Sequence, residues 1–240
     1  MKVAVYVEGQ TELIFVREFL LKWFIYDSSE IGFECYELRD ANPNETEYRF
    51  GSRESQRFYT IVNVGCDARA LSKALATAPR HINQGYDKVI VLRDMYSDQY
   101  KSVNPDRTVS QRLNTMFIEG AQKSINSKTL QGYVYCQFAI MEIEAWLLGM
   151  GWYLTKTDSR LTQNYLKDNL KFNMDTDPET TIYHPAQRLK EIYRSVHMDY
   201  DKHSQEVNSI MSHLDKQDFE LLLELDRCAS FNSFVNQLIG

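Results

Sequence analysis

Residues 1–150 alternate between short apolar runs and longer stretches in which apolar residues recur every three or four positions. The runs are typical of strands buried on both faces, and the longer spacing is typical of helices packed on a sheet. The predicted strands are residues 2–7, 31–38, 59–64, 88–92 and 133–140. The predicted helices are residues 11–24, a segment that Asp67 caps and that ends near Ala78, residues 110–125, and a segment that begins near Ile143. This alternation predicts an α/β fold, with a mostly parallel sheet flanked by helices.

The pattern changes twice along the chain. Residues 40–56 are polar and rich in turn formers, so they predict a loop. From about residue 160 onward only helical periodicity remains, with Pro178 and Pro185 as breakers. We therefore expect an α/β domain over residues 1–150 and a helical C-terminal extension over residues 151–240 that packs on it.

Acidic side chains follow three of the predicted strands. Glu8, Asp94 and Glu142 come just after strands 2–7, 88–92 and 133–140, and a second acid follows each within about one helical turn: Glu12, Asp98 and Glu144. Ligands of open parallel sheets bind outside the carboxyl ends of the strands, so these acids are expected to converge at one edge.

Such a cluster needs an explanation, because two carboxylates about 4 Å apart repel by about 4 kcal/mol at an effective dielectric near 20. A hard divalent cation would relieve this repulsion, and Mg²⁺ prefers oxygen ligands, often carboxylates together with water and substrate phosphate. The alternative for each acid is an ordinary role at a helix start, where the helix dipole favours an anion.

The charge of the chain narrows the class of partner. Thirty-three acidic residues against 27 Lys and Arg give a net charge of −6, whereas proteins that coat nucleic acid are basic. The chain is therefore expected to bind small ligands, to use a local basic patch, or to meet phosphate through metal ions. Five arginines are candidates for such a patch: Arg53, Arg57, Arg69, Arg80 and Arg107.

The remaining composition predicts a cytoplasmic protein. No apolar run approaches the roughly 20 residues that span a bilayer, and the N-terminus has no secretory-signal pattern, so we expect no membrane partner. The four cysteines, Cys35, Cys66, Cys136 and Cys228, form no CxxC pair, which favours reduced and mostly buried thiols.

Three segments resemble one family. They are "VYVEGQTE" from Val5, "VLRDMYSD" from Val91 and "MEIEAWLL" from Met141. Together they look like the Toprim-like proteins grouped as domain of unknown function 4276, and "HPAQRLKEIY", "YDKHS" and "RCASFNSFVNQL" extend the resemblance over nearly the whole chain. The wider Toprim group includes topoisomerases, primases and the overcoming-lysogenization-defect nucleases.

The resemblance implies a Toprim-like sheet with a Mg²⁺ or Mn²⁺ site made of a first-strand glutamate and a later Asp-x-Asp. Glu8 matches the glutamate and Asp94 the first aspartate, but Tyr96 occupies the second position, and Asp98 is the candidate replacement. Lys202 matches the Tyr-x-Lys element of the family. The implied catalytic residues are Glu8, Glu12, Asp94 and Lys202, and the implied metal ligands are Glu8, Asp94, Asp98, Glu142 and Glu144.

Three functions follow as hypotheses. The first is a Mg²⁺-dependent phosphodiesterase, a Toprim-type nuclease that cuts DNA or RNA with a protein partner in a bacterial defence or DNA-processing system. The partner would be a separate ATPase, because this sequence has no P-loop. The second is a catalytically degenerate Toprim module that binds a protein partner or a nucleotide, and the third is a hydrolase of small phosphoesters.

Overall fold

A computed structural model describes residues 1–39, 42–65, 69–225 and 227–240 of the chain. These residues contain six strands: β1 (Lys2–Val7), β2 (Ile31–Arg39), β3 (Asn42–Phe50), β4 (Arg57–Asn63), β5 (Lys88–Asp94) and β6 (Val134–Ala139). They form one sheet in the order β3-β2-β4-β1-β5-β6. All neighbouring strands are parallel except β3, which runs antiparallel to β2.

The strand register brings the central strands to one edge. Val7 of β1 lies beside Asn63 of β4 on one side and beside Leu92 of β5 on the other. Asp94 at the end of β5 lies beside Ala139 of β6. The connection after β1 runs towards the β3 edge of the sheet, where β2 lies, and the connection after β4 runs towards the β6 edge, where β5 lies. This divergence makes the edge beyond β1 and β4 the expected place for a ligand.

Helices cover the sheet and make up the rest of the described fold. Those between strands are α1 (Gln10–Trp23), α2 (Ala70–Asn83), α3 (Asp98–Ser102) and α4 (Gln111–Asn126). After β6 come α5 (Glu144–Gly149), α6 (Leu154–Thr157), α7 (Gln163–Leu170), α8 (Pro178–Thr181), α9 (Pro185–Arg194), α10 (Ser204–Ser212), α11 (Lys216–Glu224) and α12 (Ala229–Ile239). The predicted α/β fold with C-terminal helices is confirmed.

The two faces of the sheet bury different clusters, because successive side chains of a strand point to opposite faces. Val3, Val5 and Val7 of β1 belong to a large cluster with α1 and the C-terminal helices. Ala4 and Tyr6 belong to a smaller cluster with α2.

Trp146 of α5 joins the N-terminal and C-terminal halves of the chain within the larger cluster. Its ring is fully buried and lies 5.5 Å from Phe15 of α1, 5.5 Å from Phe231 and 5.4 Å from Phe234 of α12. Its indole N–H donates to the buried carboxylate of Glu179 at 2.9 Å. The helices after residue 150 therefore share their core with α1, while a boundary at that residue stays a prediction.

Some element predictions were wrong. The predicted loop at residues 40–56 contains β3, an edge strand that pairs with β2 among the described strands. Most side chains of β3 are exposed, so no apolar pattern marks it. Helix α2 continues past Pro79 to Asn83, and its last turn buries His81 against Tyr6. By contrast, the helical pattern is interrupted at Pro178 and Pro185 as predicted, and each proline begins the next helix, since proline fits the first helical turn.

Other expectations have separate outcomes. None of the helices in the described ranges has the length and apolar character that crossing a membrane requires. Cys35 and Cys228 are free and buried, and Cys136 is free and partly buried, as predicted. Cys66 and the predicted helix cap Asp67 lie outside the described residues.

Candidate metal and phosphate site

A cleft of about 420 Å³ opens at the edge of the sheet where β1, β4 and β5 end. Glu8 follows β1 directly, Asn63 ends β4 and Asp94 ends β5, so the strand register itself brings these side chains together. Glu12, in the first turn of α1, and Lys202, just before α10, complete the charged lining. The structure thus brings all four sequence-predicted catalytic residues into one cleft.

Glu8 is held by β5. The Nε of Arg93 donates to its Oε1 at 2.7 Å, and the backbone N–H of Asp94 donates to its Oε2 at 3.1 Å. Glu8 is 5% exposed, so this charge-assisted contact with Arg93 compensates much of the cost of burying the carboxylate. The carboxylate is therefore fixed in position at the wall of the cleft.

Glu12 and Asp94 are two cleft carboxylates whose pKa values are raised by burial and by repulsion from other acids. Among the described residues, no basic side chain forms an ion pair with either of them. Burial, and then repulsion from Glu144, raises the pKa of Glu12 to about 7. Burial, and then repulsion from Glu12, also raises the pKa of Asp94 well above its usual value. Their charged forms are thus disfavoured unless a cation comes between them.

Lys202 is anchored by two glutamates from the segment after β6. Its Nζ donates to Oε1 of Glu142 at 2.9 Å and lies 3.0 Å from Oε2 of Glu144, in an ion pair without hydrogen-bond geometry. The Tyr200 hydroxyl donates to the other oxygen of Glu144 at 2.8 Å. Burial lowers the pKa of Lys202, but the neighbouring carboxylates, Glu144 first, outweigh this and hold it above its usual value. The ammonium is therefore charged at neutral pH.

The backbone supports this arrangement at two strained positions. Met141, directly before Glu142, has φ of +64°, and Lys202 itself has φ of +61°. Left-handed conformations are unfavourable for such side chains and persist where the surroundings determine them. Here the ion pairs of Lys202 and the contact of Glu142 Oε2 with the Ala186 N–H, at 3.1 Å, determine them.

Asp98 is not brought to the cleft. It begins α3 with a side chain that is 98% exposed and forms an ion pair with Lys101 at 2.5 Å. Tyr96, at the position of the missing family aspartate, points its hydroxyl to Nε2 of His184 at 3.3 Å and packs edge-on against Tyr183. Of the two aspartates in this motif, only Asp94, at the end of β5, reaches the acidic cluster.

One comparison with known proteins is decisive for the family. The family described as Domain of unknown function (DUF4276) matches residues 7–239. The chain belongs to this family. No curated protein and no solved structure gives a significant match to this DUF4276 protein.

The donor set of the DUF4276 cleft fits a hard divalent cation. Its acidic side chains are those of Glu8, Glu12 and Asp94. Glu12 and Asp94 form no ion pair with a basic side chain among the described residues, and the more distant charge of Lys202 offsets only part of the cost of their burial. Within those residues no group of three or more His, Cys, Asp and Glu is arranged to hold a metal. Mg²⁺ commonly takes only one or two carboxylates and completes its shell with water and phosphate oxygens, so two donors are enough.

Sequence reasoning missed several residues of this DUF4276 site. Arg93, inside the predicted motif, clamps Glu8, and its role needed the register of β1 against β5. Asn63 accepts from the Gly65 N–H at 2.9 Å and donates to Gln10 at 3.2 Å, which ties the loop after β4 to the start of α1. The rule that ligands bind at strand ends could have found Asn63, because it ends the strand beside β1.

Proposed function

We propose that this protein is a Mg²⁺- or Mn²⁺-dependent phosphodiesterase, of the Toprim type, that cleaves DNA or RNA. The observation that carries the proposal is the pair of carboxylates Glu12, which is buried, and Asp94, which is partly buried, in the cleft that Lys202 lines. The pKa of each carboxyl group stays raised although the charge of Lys202 acts to lower it. A cation site next to a positive side chain is the pairing that a phosphodiester needs, since phosphoryl transfer develops charge on its oxygens.

Each residue has a defined part in this proposal. Glu12 and Asp94 would hold the cation, which when bound lowers the pKa of a water ligand and withdraws charge from a phosphate oxygen. Glu8 is fixed by Arg93 and orients the end of β5, because it accepts the Asp94 N–H. Glu142 and Glu144 act as positioning residues, because they hold Lys202 towards the cleft rather than face it themselves. Lys202 would neutralise charge on the phosphate.

The net charge of −6 makes the cation matter for binding as well as for chemistry, because a polyanion is otherwise repelled. It also supports a role for a protein partner, such as a separate ATPase, that delivers the substrate in a bacterial defence or DNA-processing system. A cytoplasmic location is part of this proposal.

The test is cleavage of supercoiled, linear and single-stranded DNA and of RNA with Mg²⁺ or Mn²⁺, with and without the product of the neighbouring gene. We expect activity that EDTA abolishes, that Glu12→Gln and Asp94→Asn lower by about 100-fold or more, and that Lys202→Ala lowers less. Asp98→Asn is the matched control, since its carboxylate is exposed and outside the cleft, and it should cleave like the wild type. Equal cleavage by the wild type and Asp94→Asn would indicate a contaminating nuclease and refute the assignment.

A second function is favoured by the positions of Tyr96 and Asp98. With Tyr96 directed to His184 and Asp98 at the surface, the acid that the family resemblance leads one to expect is absent from the cleft. A catalytically degenerate module that binds a nucleotide or a protein partner fits this arrangement. Metal binding without cleavage of any substrate, in the presence of the partner, would support this function over the first.

A further inference from the structure

A second cavity lies on the face of the sheet that α2 covers. It has a volume of about 620 Å³ and lies between α2 and the sheet face formed by β1, β2 and β4. We call it the α2 pocket, and its lining shares no residue with the acidic cleft. Its volume is in the range of about 300–1,000 Å³ that is typical of sites for small molecules.

The α2 pocket is basic although the chain is acidic. Its lining includes Lys2, Arg53, Lys73 and Arg80, and no Asp or Glu is present among the described residues that line it. Arg53 is bound to Glu34, which lies outside the lining, at 2.7 Å. A concave surface with this charge attracts anions, because clefts lined by one sign of charge concentrate the field. Two of the arginines proposed from the sequence as a phosphate patch, Arg53 and Arg80, are thus brought to one cavity.

Aromatic rings form a second kind of wall. Tyr36, Phe58 and Tyr86 line the α2 pocket, and the Arg53 guanidinium lies 5.6 Å from the centre of the Phe58 ring. Aromatic walls beside cationic groups favour a ligand that is both planar and negatively charged, since rings stack on rings while phosphate pairs with Arg and Lys.

The floor of the pocket is a network of neutral hydrogen-bonding groups. The Tyr6 hydroxyl lies 2.7 Å from Oγ1 of Thr77 and 2.8 Å from Nε2 of His81, and Thr60 bonds Tyr86 at 2.6 Å. His81 is 8% exposed, and its Nδ1 is buried without a hydrogen-bond partner among the described residues. Buried polar atoms without a partner are uncommon in proteins.

We propose that the α2 pocket binds a nucleoside monophosphate, with the base among the aromatic rings and the phosphate at Arg80. A nucleobase supplies the planar ring and the polar edge, and its phosphate supplies the charge that the basic lining selects. The site does not depend on the acidic cleft or on the proposed phosphodiesterase activity.

The experiment is isothermal titration calorimetry with AMP, GMP, CMP and UMP, in EDTA so that the acidic cleft holds no divalent cation. At least one nucleotide should bind, and adenosine (or the matching nucleoside) and inorganic phosphate should each bind at least about tenfold more weakly than that nucleotide. Arg80→Met should weaken binding by at least about tenfold, because it removes one charge-assisted contact from an exposed position where folding is not at risk.

Arg112→Met is the matched control, since Arg112 is exposed on α4 and lines neither cavity. It should bind the nucleotide like the wild type. Tyr86→Leu, whose folding is checked by its melting curve, tests the aromatic wall and should also weaken binding. The proposal is overturned if no nucleotide binds at about 5 mM, if Arg80→Met binds like the wild type, or if phosphate alone binds as tightly as the nucleotide.

Discussion

Removing the charge of Lys202 should destabilise the protein more than removing any surface lysine. Lys202→Met keeps most of the side-chain length but leaves Glu142 and Glu144, which are 8% and 0% exposed, without their cation. At 2.9 and 3.0 Å, each contact has a Coulomb energy of about 6 kcal/mol at an effective dielectric near 20. Most of this offsets the cost of burying the charges, and the lysine side chain is 34% exposed, so solvent screens part of it. We expect a net loss of about 3 kcal/mol.

The assays are urea unfolding, which gives the free energy of unfolding, and a thermal melt, both in EDTA at about pH 8, where protonation of Glu144 cannot easily compensate for the lost cation. The melting temperature should fall by about 6–12 °C, since about 2–4 °C corresponds to 1 kcal/mol in a chain of this size. Lys101→Met is the control, because its partner Asp98 is 98% exposed and such pairs contribute less than about 1 kcal/mol. The double variant with Glu142→Gln should recover part of the loss of Lys202→Met. Equal, small losses in the two lysine variants, or no coupling in the double variant, would refute the reasoning.

Three other variants test separate features. Asp94→Asn should stabilise the metal-free protein, because burial disfavours the charged carboxylate. For the wild type, Mn²⁺ at 100 times its Kd should raise the free energy of unfolding by about 2.7 kcal/mol, and Asp94→Asn should lose most of this increase in thermal melts. Burial lowers the pKa of His81 below its usual value of 6.5, so the neutral side chain stabilises the fold above about pH 6.5 and this stabilisation is lost as the pH falls. In His81→Phe, the free energy of unfolding should therefore decline less between about pH 7 and pH 5. Gly149→Ala should cost about 1–3 kcal/mol in urea unfolding, because its Cβ would lie 2.6 Å from Sγ of Cys228, while Gly120→Ala, with nothing within 4 Å, should be neutral or stabilising.

The sequence predicted the parallel core well, because its strands are buried on both faces and therefore consist of unbroken apolar runs. Strands β1 and β5 are the clearest examples. Strand β3 left no such signal, since backbone bonds to β2 stabilise it while its side chains face solvent. Edge strands of this kind are specified by pairing rather than by side-chain burial, and a single sequence does not display pairing.

For the candidate site, the predicted strand ends indicated where the acids lie but not which basic side chains contact them. Glu8 and Asp94 were predicted from their places after apolar runs, and both line the cleft. Which acids face the cleft and which hold Lys202 depends on the turn after β6, with its left-handed Met141, and on the loop before α10. Those contacts join residues about 60 positions apart, so no local pattern contains them.

The contacts of Lys202 with Glu142 and Glu144 also have a consequence for folding during synthesis on the ribosome. A chain that ends anywhere before this residue carries the acids of the cleft but lacks the ammonium that balances Glu142 and Glu144. Because domains begin to fold as they emerge, the N-terminal sheet would form first with its acidic edge electrostatically incomplete. The last helices to emerge, which share the Trp146 core, would then close the structure and bring the lysine to its partners. A truncated product that ends before Lys202 therefore lacks the ammonium that the proposed phosphate chemistry requires.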